Sequence, residues 1–431
     1  MTRLYSLCYR PIFALTWIAA WCLVPFSRKI RAGLLGRRGL VARVKAARLD
    51  NPYWFHVASS GELEQCLPLL DRLRAQRPGA SIFVSYFSPT AGRALELEKV
   101  RREKARLTVP WDYADFSPLD FARSVGPFLS VLSPRAFVAI HREIWPVLTR
   151  CCKTRGVPCF LFASFFPPAS RANFSRYRHA LRDFRFIGTV EEDSARFLAR
   201  ELPGARIDSL GDPRVERVLR RRDMRAVDDS AAPRSPGKIF LAASVWPEDV
   251  RALEPAIARM KKDHPGWRLI LVPHEPKEAF LAQLEKRLER TGLRSVRWSR
   301  QNEIFDENVV VVVDRVGILA ELYRTATLVF VGGSFKGRVH NVLEPAAYGR
   351  PILTGPFIQN SAEALLLERE DRGLWSSRTS LELADRIASL MSDPPAIARY
   401  GRALESYLAE QAGASERYLE RLLRELDRSE H

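Results

Sequence analysis

Two glutamates follow apolar runs at positions that suit acid–base chemistry. Glu62 ends the segment SSGE (59–62) after the run 53–58, and Glu143 comes shortly after the run 137–140. A carboxylate in such a loop can act as a general base, and Gly61 lets a substrate approach closely. Structural roles are the alternatives: an acidic side chain that complements a helix dipole at Glu62, and a salt-bridged helix start at Glu143. The residues alone leave both roles open.

A glycine-containing segment farther along the chain has the composition of a nucleotide-sugar site. GGSFKGRVHNVLEPAA (332–347) follows the apolar run 328–331, and its glycines allow a phosphate to approach the backbone. Asn341 is expected near a helix start, with Glu344 three residues on and within reach of a ribose diol. A capping interaction is the alternative, because Asn-x-x-Glu resembles a capping box.

Two further loops complete the candidate ligand site. One contains Ser244 after the run 239–243, and the other contains Pro273 and His274 at the end of the run 269–272. A lone histidine is more often structural than catalytic, so His274 carries little weight by itself. No cluster of His, Asp or Cys recurs in the sequence at ligand spacing, and we therefore expect no metal.

These loops depend on an alternation of apolar strands and amphipathic helices. Leu63, Leu67, Leu70 and Leu73 recur at helical spacing after the first run, for example. The predicted strands are 53–58, 82–86, 137–140, 159–162, 186–190, 239–243, 269–272, 309–313 and 328–331. The alternation predicts α/β domains with parallel sheets, which bind ligands at the carboxyl ends of their strands.

A polar segment divides the chain into two halves. Residues 220–237, RRRDMRAVDDSAAPRSPG, have little hydrophobic periodicity and are typical of a linker. We therefore expect one Rossmann-like domain over 31–219 and a second over 238–431, which includes a terminal helix. The predicted fold is α/β, with two Rossmann-like domains facing a cleft and a membrane-anchor helix before them.

The first thirty residues predict that membrane anchor. Residues 11–26, PIFALTWIAAWCLVPF, are uncharged but shorter than the roughly 20 residues that span a bilayer. They run into a basic cluster, which the positive-inside rule places in the cytoplasm. Over 1–30 we expect a helix that spans the membrane or lies in its interface, with a buried core helix as the alternative.

The net charge predicts an anionic partner. The chain has 68 Lys+Arg and 50 Asp+Glu, a formal charge of +18, although an arginine-rich codon usage is an alternative cause. No nucleic-acid-binding signature accompanies the charge, so an acidic membrane or a phosphorylated substrate is favoured over nucleic acid. Six cysteines without metal-like spacing favour a reduced, cytosol-facing protein.

Taken in order, these segments resemble the Kdo transferases of Gram-negative lipopolysaccharide synthesis (Kdo is 3-deoxy-D-manno-octulosonic acid). The resemblance spans nearly the whole chain, and HNVLEPAAYGRPILTGP (340–356) is its most specific part. It implies the two-domain glycosyltransferase B fold and an inverting, metal-independent transfer of Kdo from CMP-Kdo to the lipid A precursor. It also implies no cofactor beside this donor substrate, and a location at the cytoplasmic face of the inner membrane, among anionic lipids.

The resemblance also assigns residues to roles. It implies Glu62 as the general base, Glu143 as an acidic residue that supports the transition state, and Arg214 as a catalytic cation. Arg214 and the backbone of 332–334 are expected to stabilise the leaving phosphate. The residues implied for nucleotide binding are Ser244, Pro273, His274, Val316, Gly317, Ile318, Gly333, Ser334, Asn341, Val342, Leu343 and Glu344.

Three residues depart from the family pattern. Arg214 stands where lysine is usual, His274 where arginine is usual, and Ile318 where glutamate is usual. Arginine keeps the charge of lysine but changes the donor geometry. The departures favour one alternative, a membrane-associated glycosyltransferase of the same fold with another nucleotide sugar or lipid acceptor. An inactive membrane-docked scaffold is a further alternative, against which the retention of Glu62 and Glu143 argues.

Overall fold

The structure, a computed structural model, describes residues 27–225, 238–300 and 309–428. The chain divides into two compact units. Unit 1 takes the residues up to Arg217 together with those from Gly413 onward, and unit 2 takes Val218 to Ala412. In the described residues, each unit contains one sheet of seven parallel strands.

The sheet of unit 1 is built from short strands rich in aromatic and β-branched residues. Its strands are β1 (Tyr53–Val57), β2 (Ile82–Tyr86), β3 (Tyr113–Phe116), β4 (Ala136–Ile140), β5 (Cys159–Ser164), β6 (Phe186–Thr189) and β7 (Ile207–Ser209). Every residue of β1, β4 and β5 is buried, as is typical of parallel strands whose two faces are both covered.

Helices connect the strands of unit 1. They are Arg28–Leu35, Leu40–Ala46, Ser60–Gln76, Pro89–Lys104, Ala122–Leu132, Pro146–Thr154, Pro168–Arg171, Arg178–Leu181, Glu192–Glu201 and Ala414–Asp427, with a 3-10 turn at Phe174–Arg176. A further helix, Arg214–Arg225, begins in unit 1 and continues into unit 2.

Unit 2 repeats this architecture. Its strands are β8 (Lys238–Val245), β9 (Trp267–Pro273), β10 (Arg294–Arg297), β11 (Val309–Val312), β12 (Leu328–Val331), β13 (Ile352–Thr354) and β14 (Leu374–Ser376). Its helices are Pro247–Asp263, Glu278–Arg290, Leu319–Thr325, Leu343–Ala347, Ala362–Arg369, Ser380–Met391 and Pro394–Gln411, with a 3-10 turn at Trp298–Arg300.

In each sheet, strands that come later in the chain lie on both sides of the first strand. Unit 1 has the order β3-β2-β1-β4-β5-β6-β7, and unit 2 has β10-β11-β9-β8-β12-β13-β14. The first strand of each unit therefore lies between the strand that follows it and one that comes later in the chain. These switch points, β1/β4 and β8/β12, open a crevice at the carboxyl ends of the strands where open α/β sheets bind ligands.

The two predicted parallel-sheet domains are confirmed, and all nine predicted strands are present. The sequence analysis missed five strands, β3, β7, β10, β13 and β14. Four of them are edge strands, and all five contain only three or four residues. Sequences such as IDS and RSVR carry no apolar run, because an edge strand is covered less completely than a central one.

The boundary between the units differs from the expected one. The predicted linker begins at residue 220, but the helix Arg214–Arg225 runs through that position and the units divide between Arg217 and Val218. The rest of the predicted linker, 226–237, lies outside the described residues. Arginine makes up six of the twelve residues of the helix Arg214–Arg225 and is a good helix former, so charge alone did not mark a linker here.

The terminal helix belongs to unit 1, which corrects the expected second domain of 238–431. Its buried side includes Tyr418 and Leu422, and the Tyr418 hydroxyl accepts a hydrogen bond from Ala163 N–H (3.1 Å) and donates one to the Thr189 carbonyl (3.0 Å). A Cβ on Gly188 would lie 2.4 Å from the Tyr418 ring, so only glycine lets this helix approach β6.

The predicted anchor over 1–30 lies outside the described residues up to position 26. Ser27 caps the helix Arg28–Leu35, with its Oγ accepting the N–H of Ile30 at 3.3 Å. Within the part of the chain that the structure describes, no helix is both long enough and apolar enough to cross a membrane.

Replacing the terminal tyrosine tests its attachment to unit 1. Tyr418→Phe leaves the buried Ala163 N–H without its acceptor, and we expect a loss of about 1–3 kcal/mol in the free energy of unfolding. Tyr177→Phe, at a side chain that is 41% exposed, is the control and should change nothing. Urea unfolding of the two variants measures the difference, and equal midpoints would contradict the assignment.

Candidate functional site

Glu62 caps the helix that follows β1. It is the third residue of Ser60–Gln76, and its N–H donates to the Oγ of Ser59 at 3.4 Å. In return, Glu62 Oε2 accepts the N–H groups of Ser59 (3.1 Å) and Ala58. This capping box fulfils the structural alternative and also fixes the carboxylate at the β1/β4 switch point.

The surroundings of Glu62 change its proton affinity. Burial is the largest cause and the negative charge of Glu143 the next, and together they raise the pKa of Glu62 from the usual 4.5 to about 7. The N–H groups of Ala58 and Ser59 act in the opposite direction. A carboxylate with a pKa near 7 is suited to take a proton at neutral pH, so the structural and the chemical roles coexist in one residue.

Glu143 is held from two sides in the loop after β4. The indole N–H of Trp145 donates to Glu143 Oε2 at 2.9 Å. His56 Nε2 lies 3.3 Å from the same oxygen, a close electrostatic contact without complete hydrogen-bond geometry. The Glu143 side chain is 15% exposed, so the pair of contacts fixes a nearly buried carboxylate beside Glu62.

A buried chain of polar groups fixes the imidazole of His56. The indole N–H of Trp54 donates to Ser85 Oγ (2.7 Å), and Ser85 Oγ lies 2.9 Å from His56 Nδ1. The Ser85 hydroxyl still has its own proton to donate, and when it donates to Nδ1 the proton of a neutral His56 is on Nε2, facing Glu143. The sequence analysis assigned no role to these residues, although a histidine within an otherwise apolar strand was a signal.

Arg214 does not offer a free cation. Its Nε donates to both carboxylate oxygens of Asp212, at 2.9 and 3.1 Å. Both charges act on the nearby His141, and the pKa of His141 falls to about 4, chiefly through burial and then Arg142 and Arg214. The predicted cation therefore lies near the loop of Glu143, but Asp212 pairs its charge.

In unit 2, the loops after β8 and β12 meet at a buried aspartate. Asp249 is fully buried and accepts the N–H groups of Trp246 (2.9 Å), Gly333 (2.7 Å) and Phe335 (3.0 Å). Burial raises the pKa of Asp249 and these three donors oppose the rise. The Gly333 N–H predicted to bind the leaving phosphate is thus already bound to a carboxylate of the protein, which corrects that expectation.

Ser334 and Gly332 have structural roles at this turn. The Ser334 hydroxyl is fully buried, donates to the Val331 carbonyl (3.0 Å) and accepts the Gly355 N–H (2.7 Å). A Cβ on Gly332 would lie 2.4 Å from the carbonyl oxygen of Ser244, which itself has a positive φ of 54°. The glycine thus lets the two loops at the switch point approach each other. A close approach at this glycine was predicted, but of a phosphate and not of a second loop.

Three aromatic rings stack beside this turn. The ring centroids of Trp246 and His274 lie 4.8 Å apart, and those of His274 and His340 lie 4.3 Å apart with nearly parallel planes. The Trp246 indole N–H donates to His340 Nε2 at 3.1 Å. Burial lowers the pKa of His340 to about 4 and that of His274 below its usual value, so both rings are neutral at pH 7.

A second group of predicted residues lines a small cavity in unit 2. Its volume is about 200 Å³, and it contains two predicted residues, Gly317 and Glu344, together with Arg221 and Arg222, which the sequence analysis placed in the linker. Arg221 Nη1 lies 3.8 Å from Glu344 Oε1. Because the helix Arg214–Arg225 continues past the expected domain boundary, it brings these arginines to the cavity.

The remaining predicted residues divide between surface and core. Val316 is 78% exposed, and Ile318 caps the helix Leu319–Thr325. Val342 and Leu343 are buried side chains of the core, and Asn341 Oδ1 accepts the Leu343 N–H at 2.9 Å. Pro273 ends β9 as a buried residue. Asn341 thus accepts a local hydrogen bond, but the N-cap of the helix Leu343–Ala347 is Val342 and not Asn341. Across the described ranges, no three His, Cys, Asp or Glu side chains are grouped as metal ligands.

Comparison with known proteins places the chain among relatives of one kind. Residues 32–217 match the family described as 3-deoxy-D-manno-octulosonic-acid transferase (kdotransferase). A transferase of that name from Bordetella pertussis is 26% identical over 97% of this chain and 98% of its own length. The chain is therefore similar to Kdo transferases. A transferase of the same name from Aquifex aeolicus is 28% identical over 79% of this chain and 86% of its own length, and together these relatives make this protein a glycosyltransferase.

Solved structures of low sequence identity share the fold of this chain. A UDP-GlcNAc 2-epimerase from Neisseria meningitidis, bound to UDP-GlcNAc, superposes with a TM-score of 0.62 at 11% identity over 86% of this chain and 100% of that one. A glycosyltransferase from Rickettsia africae gives 0.54 at 11% identity over 88% and 99%. The two α/β units therefore have the architecture of glycosyltransferase B enzymes.

The pairing of Glu62 with Glu143 predicts that one glutamate of this protein has an unusually high pKa. We expect one glutamate signal to titrate near pH 7 in a carbon-13 spectrum of the side-chain carboxyls, and to be lost in Glu62→Gln. Glu143→Gln should move that signal to lower pH, because the raising charge is removed while the burial remains. A Glu62 signal that titrates near pH 4.5 in the wild type would contradict a raised pKa of Glu62.

Proposed function

We propose that this protein transfers Kdo from CMP-Kdo, with inversion, to a hydroxyl of the lipid A precursor, and that Glu62 is the general base. The proposal is carried by one observation, a carboxylate with a pKa near 7 held beside Glu143 at the switch point of unit 1. The names of the relatives support Kdo as the transferred sugar.

Inverting transfer needs one base and one leaving group. Glu62 takes the proton of the acceptor hydroxyl, whose oxygen forms a bond to the anomeric carbon of Kdo from the face opposite to the phosphate. The bond from that carbon to the phosphate oxygen breaks, and CMP leaves with the electron pair. Its phosphate needs hydrogen-bond donors or cations and no proton, which suits a chemistry without a metal or a second acid.

Glu143 drives the proton transfer by its charge. When both carboxylates are ionised they repel each other, and the protonation of Glu62 removes that repulsion. The indole N–H of Trp145 donates to Glu143, and the imidazole of His56 lies beside the same oxygen, so both contacts fix the position of this carboxylate near Glu62. This arrangement gives the two glutamates different roles.

The cavity of unit 2 supports a nucleotide-binding role. Glu344 offers carboxylate oxygens to the ribose diol, and Arg221 Nη1 lies 3.8 Å from one of them. The cavity of about 200 Å³ suits a nucleoside part better than a whole nucleotide sugar. We therefore assign the ribose to this cavity.

The acceptor and the location follow from charge. A net charge of +18 and a basic run that includes Arg28, Lys29 and Arg31 favour a phosphorylated lipid at an anionic surface. We accordingly propose the cytoplasmic face of the inner membrane as the site of action, with residues 1–30 as the anchor. An anionic lipid surface and a phosphorylated acceptor both attract positive charge, and together they account for the excess of arginine.

A second candidate is a glycosyltransferase of this fold that uses another nucleotide sugar. The neutral His274, stacked between Trp246 and His340 at a position where arginine is usual, favours it. A pyrimidine diphosphate would place its charge differently from CMP, so direct competition between the nucleotides separates the two functions.

The role of Glu62 can be separated from its capping role. Glu62→Gln keeps an acceptor oxygen for the capping box and removes the base, so we expect a folded enzyme that transfers roughly 10²–10⁴-fold more slowly. The measurement is the mass gain of a tetraacylated lipid A precursor in detergent, with CMP-Kdo generated in situ and CMP affinity determined in parallel.

A matched control is available in unit 2. Glu382 occupies the same position in the cap of the helix Ser380–Met391, where its carboxylate accepts the Arg378 N–H at 2.8 Å. Glu382→Gln should transfer at the wild-type rate. If Glu62→Gln retained more than a tenth of the activity, or lost CMP binding together with activity, Glu62 would be structural only.

The nucleotide assignment rests on Glu344. Glu344→Gln removes a charged acceptor from the ribose, and we expect CMP affinity to fall by roughly tenfold, while Glu289→Gln, at an exposed position of the helix Glu278–Arg290, leaves it unchanged. The affinities are measured by calorimetry for CMP and UDP. Equal CMP affinity in Glu344→Gln would remove this residue from the site, and tighter binding of UDP than of CMP would favour the second candidate.

A further inference from the structure

Three backbone donors of the loop after β12 are already engaged within the protein. The N–H groups of Gly333 and Phe335 both donate to Asp249, and the Gly332 N–H donates to the Ala243 carbonyl. Asp249 is a buried carboxylate at the place that a phosphate oxygen would take in a glycine-rich turn. A second anion at this place would be repelled by the first, so a nucleotide phosphate must be held by side chains.

The position expected to supply a cation has none. His274 stands where the family pattern has arginine, and its ring is stacked between those of Trp246 and His340. Burial lowers the pKa of His274, the charge of Glu275 opposes this, and the charges of Lys336 and Arg338 lower the pKa further. The charge that binds the donor has therefore to come from elsewhere in the same group of loops.

Two cations lie beside this stack on the loop 335–340. Lys336 Nζ lies 2.9 Å from the centroid of the Trp246 ring. Arg338 is close enough for its charge to act on both His274 and His340. Both cations are exposed, and within residues 27–225, 238–300 and 309–428 neither forms an ion pair with a carboxylate. Glu275, on which the charge of Lys336 acts, forms its ion pair with Lys277 at 2.6 Å.

The Trp246 ring gives the loop a fixed element on which a cation can rest. Its indole N–H donates to His340 Nε2 and its face stacks on His274, so the ring does not rotate freely. A cation over an indole face is attracted by the ring while its remaining N–H groups stay available to a ligand. Lys336 is thereby kept near the strand ends of unit 2 with its donors directed outward.

We propose that Lys336 and Arg338 bind the phosphate of the nucleotide donor, and that Trp246 positions Lys336. This inference rests on the proposed function, since it names the residues that hold the anionic part of the donor. In this protein the positive charge for the donor is thus supplied by the loop 335–340 and not by residue 274 at the end of β9. The Kdo carboxylate is the other anion of the proposed donor, and a probe without Kdo distinguishes it from the phosphate.

Nucleotide titrations of the full-length protein test the assignment. The affinities of CMP and of cytidine are measured by calorimetry for the wild type, Lys336→Gln, Arg338→Gln and the control Lys262→Gln, which lies at an exposed helix end. Loss of a charged hydrogen bond should weaken CMP binding by roughly tenfold or more in each loop variant. Cytidine affinity should not change, and the control should match the wild type for both ligands.

Trp246→Leu tests the positioning role. It keeps the charge of Lys336 but removes the ring, and we expect a smaller loss of CMP affinity than in Lys336→Gln, with no additional loss in the double variant. Thermal melts establish that each variant is folded. Additive losses in the double variant would mean that Trp246 acts independently of Lys336.

The outcomes distinguish this inference from the proposed function. If the loop variants bind CMP within twofold of the wild type, the inference is wrong, whatever the donor. If they bind CMP normally but have a raised KM for CMP-Kdo, the cations bind the carboxylate, and the phosphate assignment fails. If the wild type prefers UDP and the loop variants lose UDP affinity, the proposed donor is wrong and the phosphate site stands. A wild type that binds neither nucleotide overturns both.

Discussion

The carboxylates of Glu62 and Glu143 lie at the ends of two adjacent parallel strands, and the repulsion between them is the constraint on which unit 1 depends. Two like charges in a partly buried crevice are unfavourable, so each must be held in place by other groups. Backbone N–H groups hold Glu62 through the cap of its helix, and Trp145 holds Glu143 with the help of His56. The result is a raised proton affinity at Glu62. Removal of Glu143 would lower that affinity.

Unit 2 has the same fold, but the carboxylate at its switch point has a structural role. There the crevice at the β8/β12 switch point is occupied by the protein's own carboxylate, Asp249, which joins the two loops by accepting three N–H groups. This contact orders the glycine turn without any ligand. It also removes the turn from direct phosphate binding, so the side chains around the Trp246 ring take on that role. A loop with the composition of a phosphate-binding turn is thus a scaffold for cations in this protein.

Charge pairing decides which arginines are available for a substrate. Arg214 is held by Asp212 and Arg221 lies beside Glu344, whereas Arg338 extends from an exposed loop. A net charge of +18 therefore says little about any single site. The distribution of partners, which depends on how helices and loops fold together, determines where an anion can bind. The helix Arg214–Arg225 illustrates this, because its first residues pack in unit 1 and its later ones line the cavity of unit 2.

The sequence by itself determined the two parallel-sheet units, the central strands and the loops that carry Glu62, Glu143 and Glu344. Apolar runs and the residues that follow them are local properties, and parallel sheets always present those residues at one edge. Only the tertiary structure decided that Tyr418 returns the chain end to unit 1, that Asp249 fills the glycine turn, and that Ser85 orients His56 toward Glu143. Each of these contacts joins residues that are about 30 to 230 positions apart. No local pattern encodes such a contact, because burial and hydrogen-bond partners exist only after the sheets have assembled.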